Sequence, residues 1–85
     1  MVEVTWAPGA VAASNDIDLP SGSPPIGEAV AARAEELTEG TPNTLTESTP
    51  TPTKVDEDTI QLDADTTAST LLTLVYSPAG ELVKP

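Results

Sequence analysis

Carboxylates are the side chains of this sequence with the most evident potential for chemistry, and five of them crowd one region. They are Asp56, Glu57, Asp58, Asp63 and Asp65. A calcium loop needs several carboxylate oxygens converging from one tight turn, a glycine that permits the turn, and a bidentate acid further along the chain. This cluster has neither that glycine nor that spacing. The sequence therefore favours a solvated acidic rim over a metal site, and no cofactor is expected.

Hydrolytic chemistry finds no support in the residue types. A serine or threonine nucleophile needs a neighbouring base, but the sequence holds no His and no Cys. Neither Lys54 nor Lys84 lies in the apolar surroundings that would make a lysine a base. Paired carboxylates can hydrolyse glycosides, yet an 85-residue chain is too short to build a substrate cleft around them. We expect no enzymatic activity.

The charge balance narrows the choice of partners. Fourteen acidic residues against three basic ones give a net charge of −11, which opposes binding to nucleic acid or to an anionic membrane surface. No run approaches the roughly 20 apolar residues of a membrane span, and Met1 is followed by VEVTW, not by the basic and then apolar residues of a signal sequence. The expectation is a protein made in the cytoplasm that binds neither nucleic acid nor membrane.

Three segments with alternating apolar residues predict β-strands. Thr59 to Leu62 and Leu71 to Ser77 read as the two arms of a β-hairpin, and Val2 to Ala7 reads as a short N-terminal strand. The second arm of the hairpin is apolar on both faces. One face should therefore pack inside the protomer while the other meets a second surface. Ile17 and Leu19, two residues apart, are typical of a fragment of edge strand.

The segment from Pro24 to Glu39 predicts the one helix of the chain. Ser23 is a good cap, Pro24 suits the first helical position, and Gly40 stands where a left-handed terminator would. Apolar residues at helical spacing form one stripe: Ile26, Val30, Ala34 and Leu37. An amphipathic helix packed on the sheet is the expected result.

The segment from Thr41 to Thr53 has three prolines among threonines, which is typical of an extended, polyproline-like linker. We expect it to act as an arm that clamps a neighbouring subunit, with a flexible spacer as the alternative. The residues expected to contact a partner lie on the second face of the segment Leu71 to Ser77 and in this linker. They are Leu71, Thr73, Val75, Leu45, Pro50 and Pro52.

Together these elements predict a single small α+β domain over residues 1–85, with an antiparallel sheet, one helix and long extended arms. The expected core is Val4, Trp6, Ile26, Val30, Leu37, Ile60, Leu62, Leu72, Leu74 and Tyr76. Such a core is thin, and without Cys or His the chain can form neither a disulfide nor a thiolate zinc site. Oligomerisation or docking on a larger protein is the remaining route to stability, so we expect a homo-oligomer.

The hairpin segment resembles those of a group of viral proteins. TIQL followed by LTLVYSPAG, within Thr59 to Gly80, is similar to hairpins of small structural proteins of tailed bacteriophages. The resemblance implies a virion component, such as a capsid decoration protein, a cement protein or a head-fibre subunit, often a trimer. The implied function is non-enzymatic binding and stabilisation of a capsid lattice. The alternative is an acidic adaptor or inhibitor that binds a single protein partner, and copy number per particle separates the two.

Overall fold

Seven β-strands make up the part of the chain that the computed structural model describes, residues 1–79. They are β1 (Val2–Trp6), β2 (Asp16–Asp18), β3 (Ile26–Thr38), β4 (Thr44–Ser48), β5 (Pro52–Asp56), β6 (Thr59–Leu62) and β7 (Thr70–Pro78). Within these residues no helix is present. The strands form two antiparallel sheets that share one hydrophobic core. Sheet A has the order β1-β7-β3-β4, and sheet B has the order β2-β6-β5. The fold is all-β, and the predicted α+β class is wrong.

The predicted helix over 24–39 is instead the long strand β3. This strand pairs with β7 on one side and with β4 on the other, so tertiary pairing overrides the helix propensity of its Ala and Glu residues. Two register shifts interrupt the β3–β7 ladder, one between Ile26 and Glu28 and one between Ala29 and Ala31. They place Ile26, Ala29 and Ala32 successively on the core-facing side. The apolar stripe that predicted the helix is therefore divided between the two faces of the strand, and its Val30 and Leu37 are exposed.

The predicted hairpin between residues 59–62 and 71–77 does not form, because its two arms lie in different sheets. Strand β6 is the middle strand of sheet B, whereas β7 pairs with β1 and β3 in sheet A. Both arms are strands, as predicted, and β1 forms close to its predicted bounds. The edge-strand fragment is also confirmed: β2 lies at the edge of sheet B, and its Ile17 is buried opposite Ile60.

The segment 41–53 is not an unpaired arm. It contains β4, which pairs with the second half of β3, and the beginning of β5 in sheet B. Its threonines suit strands as well as they suit an extended linker, and a polar strand is tolerated here because β4 lies at the sheet edge. Pro50, in the connection between the two strands, is buried.

The core lies between the sheets. Its fully buried side chains are Tyr76, Ile26, Ile60, Leu72 and Leu74. Leu62 is also buried, and Val4 and Trp6 are half-buried against this cluster. The Tyr76 hydroxyl donates a 2.7 Å hydrogen bond to the Pro24 carbonyl oxygen, and burial raises the pKa of that hydroxyl. Two predicted core residues are exposed instead, Val30 by 51% and Leu37 by 46%. Val30 falls at the second register shift of β3, and Leu37 lies on the outer face because side chains alternate along the regular part of the strand.

Thr66 fastens the segment after β1 to the segment between β6 and β7. Its hydroxyl oxygen accepts the Val11 N–H at 3.0 Å, and the hydroxyl donates to the Gly9 carbonyl oxygen at 2.6 Å. The Thr66 N–H donates in turn to the Val11 carbonyl oxygen at 2.8 Å. The Thr66 side chain is 6% exposed, so water cannot easily replace these partners.

Thr66→Val is therefore expected to lower the free energy of unfolding by about 1 to 3 kcal/mol, because two backbone groups lose their partner without a change in side-chain shape. Urea denaturation followed by circular dichroism measures the loss. Thr46→Val is the matched control, since Thr46 is exposed on β4 and should change little. A Thr66→Val protein as stable as the control would contradict the role assigned to this hydroxyl.

Candidate functional site

The β3–β4 hairpin extends beyond the core of the sandwich. Every residue from 37 to 49 is exposed, including all five residues of β4, and we call residues 37–49 the hairpin arm. The protein measures 56 × 22 × 21 Å along its principal axes, so it is elongated. A two-stranded hairpin with both faces in water is marginally stable at best on its own. The arm persists because β3 continues from the sandwich, where β7 holds it.

The strand register collects leucines and glutamates on the outer face of sheet A. Leu37 pairs with Leu45, Glu35 pairs with Glu47, and Leu71 of β7 also pairs with Glu35. These five residues share one face because side chains alternate along each strand, and we call them the leucine–glutamate face. The leucines are 46%, 59% and 43% exposed in the order Leu37, Leu45, Leu71. The two carboxylates are directly opposite one another, an arrangement that destabilises a strand pair unless a cation relieves it.

The structure brings together only some of the residues predicted to contact a partner. Leu71 and Leu45 lie on the leucine–glutamate face. Val75 is half-buried, and Thr73 is 3% exposed with a 3.0 Å hydrogen bond between its hydroxyl and that of Thr5. The linker prolines lie away from this face, in the β4–β5 connection (Pro50) and at the start of β5 (Pro52).

Sequence reasoning missed Leu37, Glu35 and Glu47 as members of this face. The available signal for Glu35 was the alternation from Ala32 to Glu35, in which Ala residues alternate with larger charged ones. The helical interpretation of the same segment concealed it.

The acidic cluster is dispersed, because its carboxylates accept separate hydrogen bonds. Asp63 accepts the Thr51 N–H at 2.8 Å, and Asp65 accepts the Ala13 N–H at 2.7 Å. Among residues 1–79 no group of three or more His, Cys, Asp or Glu side chains is placed to hold a metal ion. These carboxylates tie loops to neighbouring segments, which is a structural role.

The turn between β5 and β6 borders an open depression of about 430 Å³. Its lining consists of Ser23, Pro25, Asp56, Glu57 and Asp58. The turn also connects distant segments, since the Glu57 carbonyl oxygen accepts the Ile26 N–H at 2.7 Å and the Asp58 carbonyl oxygen accepts the Leu19 N–H at 2.9 Å. The depression therefore lies against a turn whose hydrogen bonds have a structural role.

Asp56 and Asp58 interact within this turn. The Asp58 N–H donates a 3.0 Å hydrogen bond to Asp56 Oδ1, which stabilises the Asp56 carboxylate and lowers its pKa. A hydrogen bond from the protonated Asp58 carboxyl to Asp56, together with repulsion between the two charges, raises the pKa of Asp58. The two shifts have opposite effects on stability. The Asp56 contribution is lost as the pH falls through its lowered pKa, and the Asp58 contribution is lost as the pH rises through its raised pKa.

Because the Asp56 and Asp58 shifts have opposite effects on stability, titration of the two carboxyls tests the assignment more directly than the pH dependence of unfolding does. As the pH rises, Asp56 is expected to lose its proton before Asp58, and Asp56→Asn should bring the pKa of Asp58 down. Carboxyl carbon chemical shifts followed by NMR from acid to neutral pH measure both. Asp63→Asn is the control and should leave the Asp58 titration unchanged. Indistinguishable titrations of the two carboxyls in the unmodified protein would contradict this assignment.

We compared the chain with protein-family models, with curated proteins and with solved structures, and none of them matches it. A membrane-crossing helix, long and apolar enough for the purpose, is not found among residues 1–79. The leucine–glutamate face combines exposed apolar area from its leucines with negative charge from its paired carboxylates.

Proposed function

We propose that this chain is a non-enzymatic structural protein of a virion, which binds a protein lattice and stabilises it through the hairpin arm. The main support for this proposal is the hairpin arm, in which every residue from 37 to 49 is exposed. An arm whose residues are all exposed contributes little to the core, and a surface of this kind is suited to contact with a partner. The choice of a virion lattice as that partner rests on the resemblance in sequence of residues 59–80 to segments of phage structural proteins, and not on a hairpin, since β6 and β7 lie in different sheets.

The leucine–glutamate face supports the same proposal. Isolated exposed leucines are ordinary on protein surfaces, but Leu37 and Leu45 are directly paired and Leu71 lies on the same face. Contiguous apolar area of this kind is typical of interaction sites. A subunit that attaches through a projecting arm leaves its sandwich free to cover the neighbouring lattice surface.

Copy number tests this proposal. Particles purified from cells that carry the genome encoding this chain are analysed by quantitative mass spectrometry against a labelled standard of the same chain. A lattice-binding subunit is present at a fixed, high ratio to the major capsid protein. Absence from particles, or presence only in complexes with one copy of a single soluble protein, would contradict the proposal and favour the acidic adaptor or inhibitor.

A paired variant then tests the arm. Replacing Leu37 and Leu45 with threonine should leave the sandwich folded and remove the chain from particles, because both side chains are exposed and paired only with each other across the arm. Val55→Thr is the control, since Val55 is an exposed apolar residue of β5, in sheet B. Equal incorporation of the double variant and the control would contradict attachment through the arm.

A further inference from the structure

Among residues 1–79, no strand pairs with the outer edge of β4. In the described part of the chain, β4 pairs with β3 alone and is the last strand of sheet A. An edge strand presents a row of unpaired N–H and C=O groups that can pair with an added strand. Proteins usually protect such an edge with charged side chains, a proline, a bulge or a covering loop, and in β4 the one charged side chain is Glu47. Strand β4 has the sequence TLTES, and its register with β3 is uninterrupted.

The other edge strand of sheet A differs in its surroundings. Strand β1 packs Val2, Val4 and Trp6 against the core, so only one of its faces is exposed. All five residues of β4 are exposed. An incoming strand at β4 would therefore find a free edge, the apolar side chain of Leu45, and the carboxylate of Glu47 on one face.

Charge decides which kind of strand fits. Glu35 and Glu47 oppose each other across the ladder, and the cation closest to them in the register is Arg33, two residues before Glu35 on the same face of β3 and opposite Thr73. Lys54 lies on β5, where its ammonium donates a 3.3 Å hydrogen bond to the Gly27 carbonyl oxygen. A second copy of this chain would bring another net charge of −11 to the same edge, and like charges repel. A basic strand would relieve the repulsion between Glu35 and Glu47.

We propose that the free edge of β4 is a site of strand addition for an extended basic segment of a partner protein. The added segment pairs its backbone with β4 and becomes the fifth strand of sheet A. Side chains two positions apart on one face of that segment contact Leu45 and Glu47. The site therefore selects an apolar residue and a Lys or Arg separated by one residue. This inference rests on the proposed function, in which β4 belongs to the attaching arm, and it adds the chemistry of the partner.

The test uses a synthetic nine-residue peptide with the sequence TVTKTVTKT. In an extended strand its valines and lysines lie on one face and its threonines on the other. Added to the ¹⁵N-labelled full chain, it should shift the amide resonances of Thr44–Ser48 and of the paired half of β3. Sodium chloride should weaken binding because the contact includes exposed charges. A peptide with glutamate in place of lysine should produce no shifts at β4.

Two charge variants with the same net charge localise the site. Glu47→Lys should weaken peptide binding at least about fivefold, because it replaces attraction with repulsion at the proposed contact. Glu3→Lys makes the same change on β1, at the opposite edge of sheet A, and should leave binding within about twofold of the unmodified chain, as expected for a screened distant charge.

Several results would overturn the proposal. They are shifts that map outside β4 and its paired half of β3, equal binding of the acidic peptide, or equal weakening by the two variants. Concentration-dependent shifts at β4 without peptide would also overturn it, because they would identify a second copy as the occupant. These outcomes are independent of copy number in particles. A chain absent from virions that still binds the basic peptide would contradict the proposed function alone.

Discussion

Leu72→Ala is expected to lower the free energy of unfolding by about 3 to 5 kcal/mol, the upper part of the range for buried leucines. Leu72 is fully buried near the start of β7, where it pairs with Trp6 on one side and Ala34 on the other. Its removal would leave a cavity between the sheets that neither neighbouring strand can close. Urea denaturation of the two proteins, followed by Trp6 fluorescence and by circular dichroism, measures the difference.

The matched control is the adjacent residue. Leu71 has the same side chain but lies on the opposite face of β7, 43% exposed, so Leu71→Ala should cost less than about 1 kcal/mol, since only part of the side chain leaves an apolar contact. The contrast also tests the register, because a slip of one residue would exchange the two faces. A greater loss for Leu71→Ala than for Leu72→Ala would show that the register of β7 is different from the one described.

Gly27→Ala is expected to destabilise the protein by about 1 to 3 kcal/mol, the usual cost of overpacking a tightly packed site. A Cβ atom at Gly27 would lie 2.9 Å from the Ser77 carbonyl oxygen and 3.0 Å from that of Pro78. Both are backbone atoms, so relief requires the end of β7 to move away from the first bulge of β3. Replacing glycine with alanine also restricts the unfolded chain, which offsets roughly 0.4 to 1 kcal/mol.

The measurement is again urea denaturation, combined with hydrogen exchange of the Ala79 amide, which donates a 2.9 Å hydrogen bond to the Pro25 carbonyl oxygen. Faster exchange at Ala79 would locate the disturbance at the end of β7. Glu28→Ala is the control, since it places alanine at the next position of β3, where the side chain is exposed. Stability equal to that of the control, with unchanged exchange at Ala79, would contradict the close approach of β3 and β7.

These two variants disturb the sandwich, whereas the variants of Leu45 and Glu47 disturb only the arm. That separation follows from burial: the core lies between the sheets, and residues 37–49 lie outside it. Loss of binding by an arm variant that denatures like the unmodified protein can therefore be attributed to the surface. The same separation allows the acidic hairpin arm to be redesigned without loss of the fold.

Features that depend on neighbouring residues alone could be predicted from the sequence. Alternation between apolar and polar side chains indicated β1 and β6, and a run that is apolar on both faces indicated β7, because period-two spacing is a local property of a strand. Side-chain types alone identified Ile60, Leu72, Leu74 and Tyr76 as core. Composition alone established the net negative charge and the lack of His and Cys.

Only the tertiary structure decided which strands pair and where the surface lies. Pairing joins residues far apart in the chain, so the local pattern could not show that β6 and β7 belong to different sheets, or that a threonine-rich segment would become β4. The apolar residues at helical spacing in β3 predicted a helix, but pairing with β7 and β4 made the segment a strand and left Val30 and Leu37 exposed. The leucine–glutamate face combines three strands, and it exists only because their registers bring Leu37, Leu45 and Leu71 to one side.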